Sequence, residues 1–187
     1  MHRRRFLRSA GACGALAMAG CADAPTDPAL SVRMDPQPSA VHYAVEVERP
    51  PTETTPLTLR VTISNPDAMG GLRYGERRRA LFWVAEVDAP FGTYPQAGVQ
   101  EQLRYDPDER AWQLADPFAM TMDYQWGELG PGEAHSERVV MVNGPRADPL
   151  VPVTAREAIA ARTSVVIEQE SATAPTEVTW GFEVVSP

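Results

Sequence analysis

Leu57-Thr58-Leu59-Arg60-Val61-Thr62-Ile63-Ser64-Asn65-Pro66 is the stretch that decides the fold. Leu57, Leu59, Val61 and Ile63 take every second position, with Thr58, Arg60, Thr62 and Ser64 between them. A period of two lays apolar side chains along one face of an extended chain, so residues 57–64 read as a half-buried strand. Asn65-Pro66-Asp67 and Gly70-Gly71 then close it as a loop. Upstream, Val41, Tyr43, Val45 and Val47 alternate with His42, Ala44, Glu46 and Glu48, and Pro50-Pro51 separates this strand from the next.

The same period continues downstream. Ala80-Leu81-Phe82-Trp83-Val84 is apolar on both faces, as a central strand is. Leu103 and Tyr105, then Trp112 and Leu114, flank Asp106-Pro107-Asp108-Glu109, which reads as a hairpin with its turn at the acidic tip. Phe118, Met120, Met122, Tyr124 and Trp126 alternate again; Gly130-Pro131-Gly132-Glu133 turns the chain into a strand over residues 138–142; and Val178, Trp180, Phe182 and Val184 form the last one. Thr154-Ala155-Arg156-Glu157 has the spacing of a capping box, and Ala158 to Arg162 are good helix formers, so one short helix is expected there, followed by a strand over 164–169. Eight or nine strands, one short helix and no long βαβ crossover predict a mainly β protein, an antiparallel immunoglobulin-like β-sandwich over residues 40–187. Leu59 to Pro66 together with Leu129-Gly130-Pro131-Gly132-Glu133 resembles the strand–Asn and Leu-x-Pro-Gly-Glu features of bacterial and archaeal Ig-like surface domains.

A search for chemistry along this domain returns little. His42 and His135 are its two histidines, and neither belongs to a His-x-x-x-His or His/Cys cluster, so no transition-metal site, no cofactor and no catalytic residue is expected. Gly-x-Ser-x-Gly and Gly-rich phosphate-loop patterns are absent. Asp106, Asp108 and Glu109 supply oxygen ligands at one tip, but the glycine and terminal Glu of a calcium loop are missing and a solvated turn explains them better. Arg77-Arg78-Arg79 either grips an anionic partner or pairs with neighbouring acids. Trp83, Trp112, Trp126 and Trp180 fall at inward-capable strand positions and are assigned to the core. Phe91 and Tyr94, in the segment 88–98, are the aromatics placed to be exposed on a loop.

The charge pattern divides the chain. Its 17 basic residues are all arginine, against 25 acids. Four of them (Arg3, Arg4, Arg5 and Arg8) precede Cys21, where there is no acid, so the remainder is more acidic than the whole chain's net charge of −8. No basic stripe is left to displace counterions from phosphates, which excludes nucleic acid as a partner. An acidic surface without lysine suits high salt: at about 1 M the Debye length falls to roughly 3 Å and self-repulsion is screened. The isolated domain is expected to melt at progressively lower temperature from molar to millimolar salt; a flat melting temperature refutes this.

Residues 1–20 have the order of an export signal: a basic start, an uncharged apolar segment too short to span a bilayer, then small residues before a cysteine. His2-Arg3-Arg4-Arg5-Phe6-Leu7-Arg8 resembles the twin-arginine signal, with Arg3 and Arg4 on the twin positions and Phe6 and Leu7 on the apolar pair. Met18-Ala19-Gly20-Cys21 is similar to a lipobox, with Met where Leu is usual. This resemblance implies thioether lipidation of Cys21 after cleavage before it, and a thiolate is the nucleophile that such a step needs. Together, the twin-arginine start, the lipobox and the acidic, lysine-free remainder resemble the small lipoproteins of haloarchaea. That likeness implies a diether lipid anchor and a position on the outer face of the cell membrane. Residues 21–39, rich in proline, are read as a flexible tether.

The function expected from these readings is that of a membrane-anchored surface lipoprotein. Its Ig-like domain is a non-catalytic binding or structural module, not an enzyme. It meets membrane lipid through Cys21, and another envelope protein or a glycan through the sandwich. Two alternatives stand beside it: an Ig-like protease inhibitor, with segment 88–98 as its protruding loop, and an accessory solute-binding lipoprotein.

Overall fold

The structure is a computed structural model that describes residues 29–38, 41–67, 70–76, 82, 84, 86–117, 123, 125–170 and 172–187. The export signal, Cys21, the Arg77-Arg78-Arg79 run, Trp83, Phe118, Met120, Met122 and Tyr124 lie outside these residues. The chain is mainly β and forms two sheets around a shared core. Twelve strands are described: β1 (Ser31–Met34), β2 (His42–Arg49), β3 (Leu57–Ser64), β4 (Leu72–Glu76), β5 (Glu86–Val87), β6 (Phe91–Pro95), β7 (Leu103–Asp106), β8 (Ala111–Leu114), β9 (Gln125–Leu129), β10 (Ala134–Asn143), β11 (Ala158–Gln169) and β12 (Thr176–Val185).

The first sheet has the order β1-β12-β11-β4-β9, with β5 also beside β11; the second has the order β2-β3-β10-β8-β7, with β6 also beside β10. Pairing is antiparallel throughout, apart from one parallel bridge between Asn143 of β10 and Gln113 of β8. The chain passes between the sheets repeatedly, at β1–β2, β3–β4, β5–β6, β8–β9, β9–β10 and β10–β11.

The alternation in the sequence is the alternation in the fold. Leu57, Leu59, Val61 and Ile63 of β3 are at most 1% exposed, and β3 is flanked by β2 and β10. They face Val165, Ile167, Trp180 and Phe182 of the other sheet in one apolar cluster. Full burial of one such aliphatic side chain is worth about 1.5–3 kcal/mol, so this interior row holds the sheets together. On the other side of β10, Val140 and Val142 pack with Val99, Leu103 and Leu114 in a smaller core. The α-helix α1 (Gln96–Val99) and the β7–β8 hairpin thus cover part of the outer face of the second sheet.

Two expectations about elements are corrected. Residues 158–162 are the start of strand β11, not a helix. Ile159, Ala161, Thr163, Val165 and Ile167 are all buried, and the strand pairs with β12 from Ala158↔Val185 to Ile167↔Thr176. Helix propensity differs by under about 1 kcal/mol per residue and is overridden by this two-sided ladder and its burial. Thr154 caps nothing; Val153–Ala155 makes a single 3-10 turn, and the one α-helix described is α1. Second, Ser31–Met34, read as tether, is the edge strand β1, paired with β12 from Ser31↔Val185 to Met34↔Phe182, and Leu30 before it joins the core. Only two apolar residues alternate there, too few to register as a strand without the partner.

Within the expected central strand 80–84, Phe82 has φ of 64°, so the chain turns at that residue instead of running straight. Its ring and Val84 are nonetheless buried. Val84 is held by Thr93, whose hydroxyl accepts from the Val84 N–H at 3.2 Å and lies 3.3 Å from its carbonyl.

The two motifs that carried the Ig-like resemblance meet in space. The Asn65 N–H donates to Glu133 O at 2.9 Å, and its amide Nδ2 donates to Gly70 O at 2.8 Å and to Gly130 O at 3.1 Å. Asn65 is 2% exposed and joins the β3–β4 connection to the β9–β10 turn. At the opposite end Asn143, 1% exposed, does the same for the β10–β11 connection, donating to Trp112 O and Val151 O at 2.9 Å and accepting from Val151 N at 3.0 Å.

Candidate functional site

The sequence-predicted features are structural where they are described. Asp106 Oδ1 accepts the N–H groups of Asp108 at 2.9 Å and Glu109 at 3.0 Å, so its carboxylate closes the hairpin turn. Among the described residues, no group of three His, Cys, Asp or Glu side chains is placed to hold a metal ion. No helix among them is long and apolar enough to cross a membrane. The segment 88–98 is not a protruding loop: residues 91–95 are strand β6 in register with β10, Phe91 is buried and Tyr94 half-buried.

The tryptophans separate into three environments. Trp180 is buried and stacks on Tyr43, with ring centroids 4.2 Å apart and 9° between planes. Trp112 is half-buried at the smaller core and donates Nε1–H to Thr52 O at 2.7 Å. Trp126 is not in the core: it is 36% exposed, on the outer side of β9. Its cross-strand partner is Gly75, where an added Cβ would lie 2.7 Å from the indole, so the ring lies flat over bare backbone. The Arg73 guanidinium lies 4.8 Å from the Trp126 ring centroid, and Arg73 also pairs with Glu128 and Glu168.

A polar grouping that joins the two sheets surrounds the half-exposed His135. His135 aligns with Ile63 on β3 and, through it, with Tyr43 on β2. Tyr74 comes from β4 of the other sheet, and its Oη lies 2.6 Å from His135 Nδ1. The Phe82 ring meets the imidazole edge-on at 5.2 Å and 86°. His135 Nε2 is 3.5 Å from Glu137 Oε1. Glu76, two residues beyond Tyr74, is 4% exposed. Burial pushes the Tyr74 phenol well above its ordinary range, with Glu76 and Glu137 adding to the effect. Burial raises Tyr43 still further, with Glu76 and Tyr74 contributing. The Tyr74 phenol therefore keeps its proton and shares a hydrogen bond with Nδ1 whose direction follows the imidazole tautomer.

Carboxylate, imidazole and hydroxyl stand in the order of a nucleophilic triad, but the hydroxyl is on the wrong side of the protein. Tyr74 is 2% exposed, and a raised pKa opposes the phenolate that attack requires. The group fixes the two sheets relative to each other. His135 is brought against Tyr74 by its alignment with Ile63, which requires the strand register, and its side chain remains 40% exposed.

The buried phenols make stability fall in alkali. Each is raised in the folded protein above its unfolded value of about 10. Stability is thus intact below pH ~10 and declines above it, by about 1.4 kcal/mol per pH unit per phenol. Tyr43 Oη is buried with no hydrogen-bond partner among the described residues. Tyr43→Phe keeps the stack on Trp180, so urea unfolding at pH 7 is expected to change by less than about 1 kcal/mol. Between pH 10 and 11 the variant loses about 1 kcal/mol less than the parent. An unchanged alkaline slope contradicts this assignment.

A shallow groove of about 250 Å³ runs between Asp88, Ala89, Phe91, Arg156, Ala158 and Ile159. Asp88 Oδ2 already accepts the Ala160 N–H at 2.8 Å, and Arg156 reaches the Ala89 carbonyl at 3.4 Å. Its polar lining is engaged in holding β5 and β11 together. Compared with known protein families, characterised proteins and solved structures, the chain matches none.

Proposed function

We propose that this chain is an exported lipoprotein, anchored through Cys21 to the outer face of the cell membrane. Its β-sandwich serves as a non-catalytic, immunoglobulin-like binding or structural module for another envelope protein or a glycan. The observation that carries this reading is the order of features along the chain. Arg3, Arg4, Phe6 and Leu7 sit in twin-arginine register, Met18-Ala19-Gly20-Cys21 follows, and Leu30, nine residues past Cys21, is already a core residue. A double-chain lipid on one cysteine supplies the two hydrophobic tails that stable anchoring takes. The Ig-like character is supported by two facing sheets whose strands cross between them at both ends, and by the joining of Asn65 to the Gly130–Glu133 turn. In segment 88–98, on which the inhibitor alternative depended, residues 91–95 are strand and the helix follows from Gln96, so the support for that alternative is weaker.

Membrane fractionation of the full chain tests the proposal. Wild type is expected in the detergent-soluble membrane fraction. Cys21→Ser moves to the soluble fraction or accumulates unprocessed, with at least a tenfold loss of anchored protein. Arg3→Lys with Arg4→Lys blocks export. Normal anchoring of Cys21→Ser would falsify the lipid attachment, and normal export of the double-Lys variant the twin-arginine route.

A further inference from the structure

The point at which the chain enters the sandwich decides which end of the domain meets the membrane. We infer that the anchored domain stands on the lipid surface with the end formed by residues 50–56, 88–90 and 144–157, and holds the Asn65 end outward. This rests on the lipidation of Cys21 proposed above.

Ser31, the first residue of β1, pairs with Val185 of β12, and Val185 pairs with Ala158 of β11. The start of β1, the last residues of the chain and the beginning of β11 therefore share one end. The other sheet turns the same way there: Asp88 is joined to Ala160 by backbone, Gly144 N donates to Pro90 O, and Asn143 pairs with Phe91. Trp112 adds the 50–56 connection to this end through Thr52. The opposite end holds residues 65–71, 130–133 and 170–175, tied by Asn65 and by the Glu170 N–H to Gly71 O.

Length makes the choice. The nine residues from Cys21 to Leu30 span at most about 32 Å. Strand β12 is 10 residues, about 33 Å long. The far end can approach the bilayer only if the spacer is drawn to its full contour along the side of the domain, at a large cost in chain entropy. Charge does not separate the two ends: residues 50–56, 88–90 and 144–157 carry Arg146 and Arg156 beside Glu53, Asp88, Asp148 and Glu157, and the far connections carry Asp67, Glu133 and Glu170, so the orientation rests on the length of the spacer.

No cysteine follows Cys21, and Cys13 lies in the segment that cleavage removes, so an introduced cysteine is the one free thiol of a lipidated chain. Thr54→Cys and Asp148→Cys at the near end, and Ala172→Cys and Thr173→Cys at the far end, are exposed positions for a fluorescent maleimide. The experiment uses the full chain in vesicles of its own membrane, with a collisional quencher confined to the headgroups. Quenching at 54 and 148 is expected to exceed that at 172 and 173 at least threefold. Equal quenching, or stronger quenching at the far end, overturns the orientation while leaving the anchor intact. Maleimide labelling of the unsubstituted chain, or its absence from the vesicles, shows instead that Cys21 is not lipidated, and both readings fall.

Discussion

Gly127→Ala is expected to destabilise the domain by about 2–3 kcal/mol, enough to lower its melting temperature by roughly 5–10 °C. Gly127 is opposite Tyr74 in the β4–β9 ladder, and a Cβ there would stand 2.4 Å from the phenol ring. The ring cannot retreat, since it is 2% exposed, is hydrogen-bonded to His135 Nδ1 at 2.6 Å and meets Phe82 edge-on at 6.2 Å. The added methyl therefore either splays β9 from β4 or breaks the hydrogen bond between the sheets. Shortening the obstacle separates this clash from a general effect on the strand. In Tyr74→Leu the alanine has room, so the double variant is less destabilised than the sum of the single ones by at least 1 kcal/mol. Chemical denaturation of the four proteins measures the coupling. A cost below about 0.5 kcal/mol for Gly127→Ala, or strict additivity, shows that the close approach does not constrain the fold.

Asn143→Ala is expected to cost about 3–4 kcal/mol. Asn143 makes three hydrogen bonds of 2.9–3.0 Å while 1% exposed. Truncation forfeits about 1 kcal/mol for each and leaves two carbonyls and one N–H with lost partners near the core. Asn143→Asp is no rescue, because a carboxylate cannot donate to Trp112 O or Val151 O and adds a buried charge. The effect is also local in a way a core cavity is not. Amide exchange at Val151 and along residues 144–152 accelerates before global unfolding, because Asn143 is the link between that connection and β8. A destabilisation under 1 kcal/mol, with exchange at Val151 unchanged, refutes the staple.

Much of the sheet framework is legible from period two alone. Residues 42–49, 57–64 and 176–185 alternate over enough positions for burial on one face to dictate the conformation, 103–106 and 111–114 are marked by the turn between them, and the structure has strands at all five. The failures have one cause. Ala158 to Arg162 favour helix locally, Ser31–Met34 favours nothing, and Trp126 favours burial. Each is decided by its neighbour: β12 for the first two, and Gly75 for the third. The candidate sites divide similarly. The tip acids Asp106, Asp108 and Glu109 read correctly as a turn, because an Asp side chain reaches its own backbone two residues on. The pairing of His135 with Tyr74 joins residues 61 apart, and neither position advertises the other.

The sequence by itself determined that the chain is mainly β, where several of its strands lie, and that its charge is acidic and free of lysine. These follow from local periodicity and composition. Tertiary structure alone decided which strands are neighbours, that β1 belongs to the sandwich, that His135 meets Tyr74, and that Asn65 and Asn143 tie the two ends. Those depend on register, and a shift of one residue sends every side chain of a strand to the opposite face.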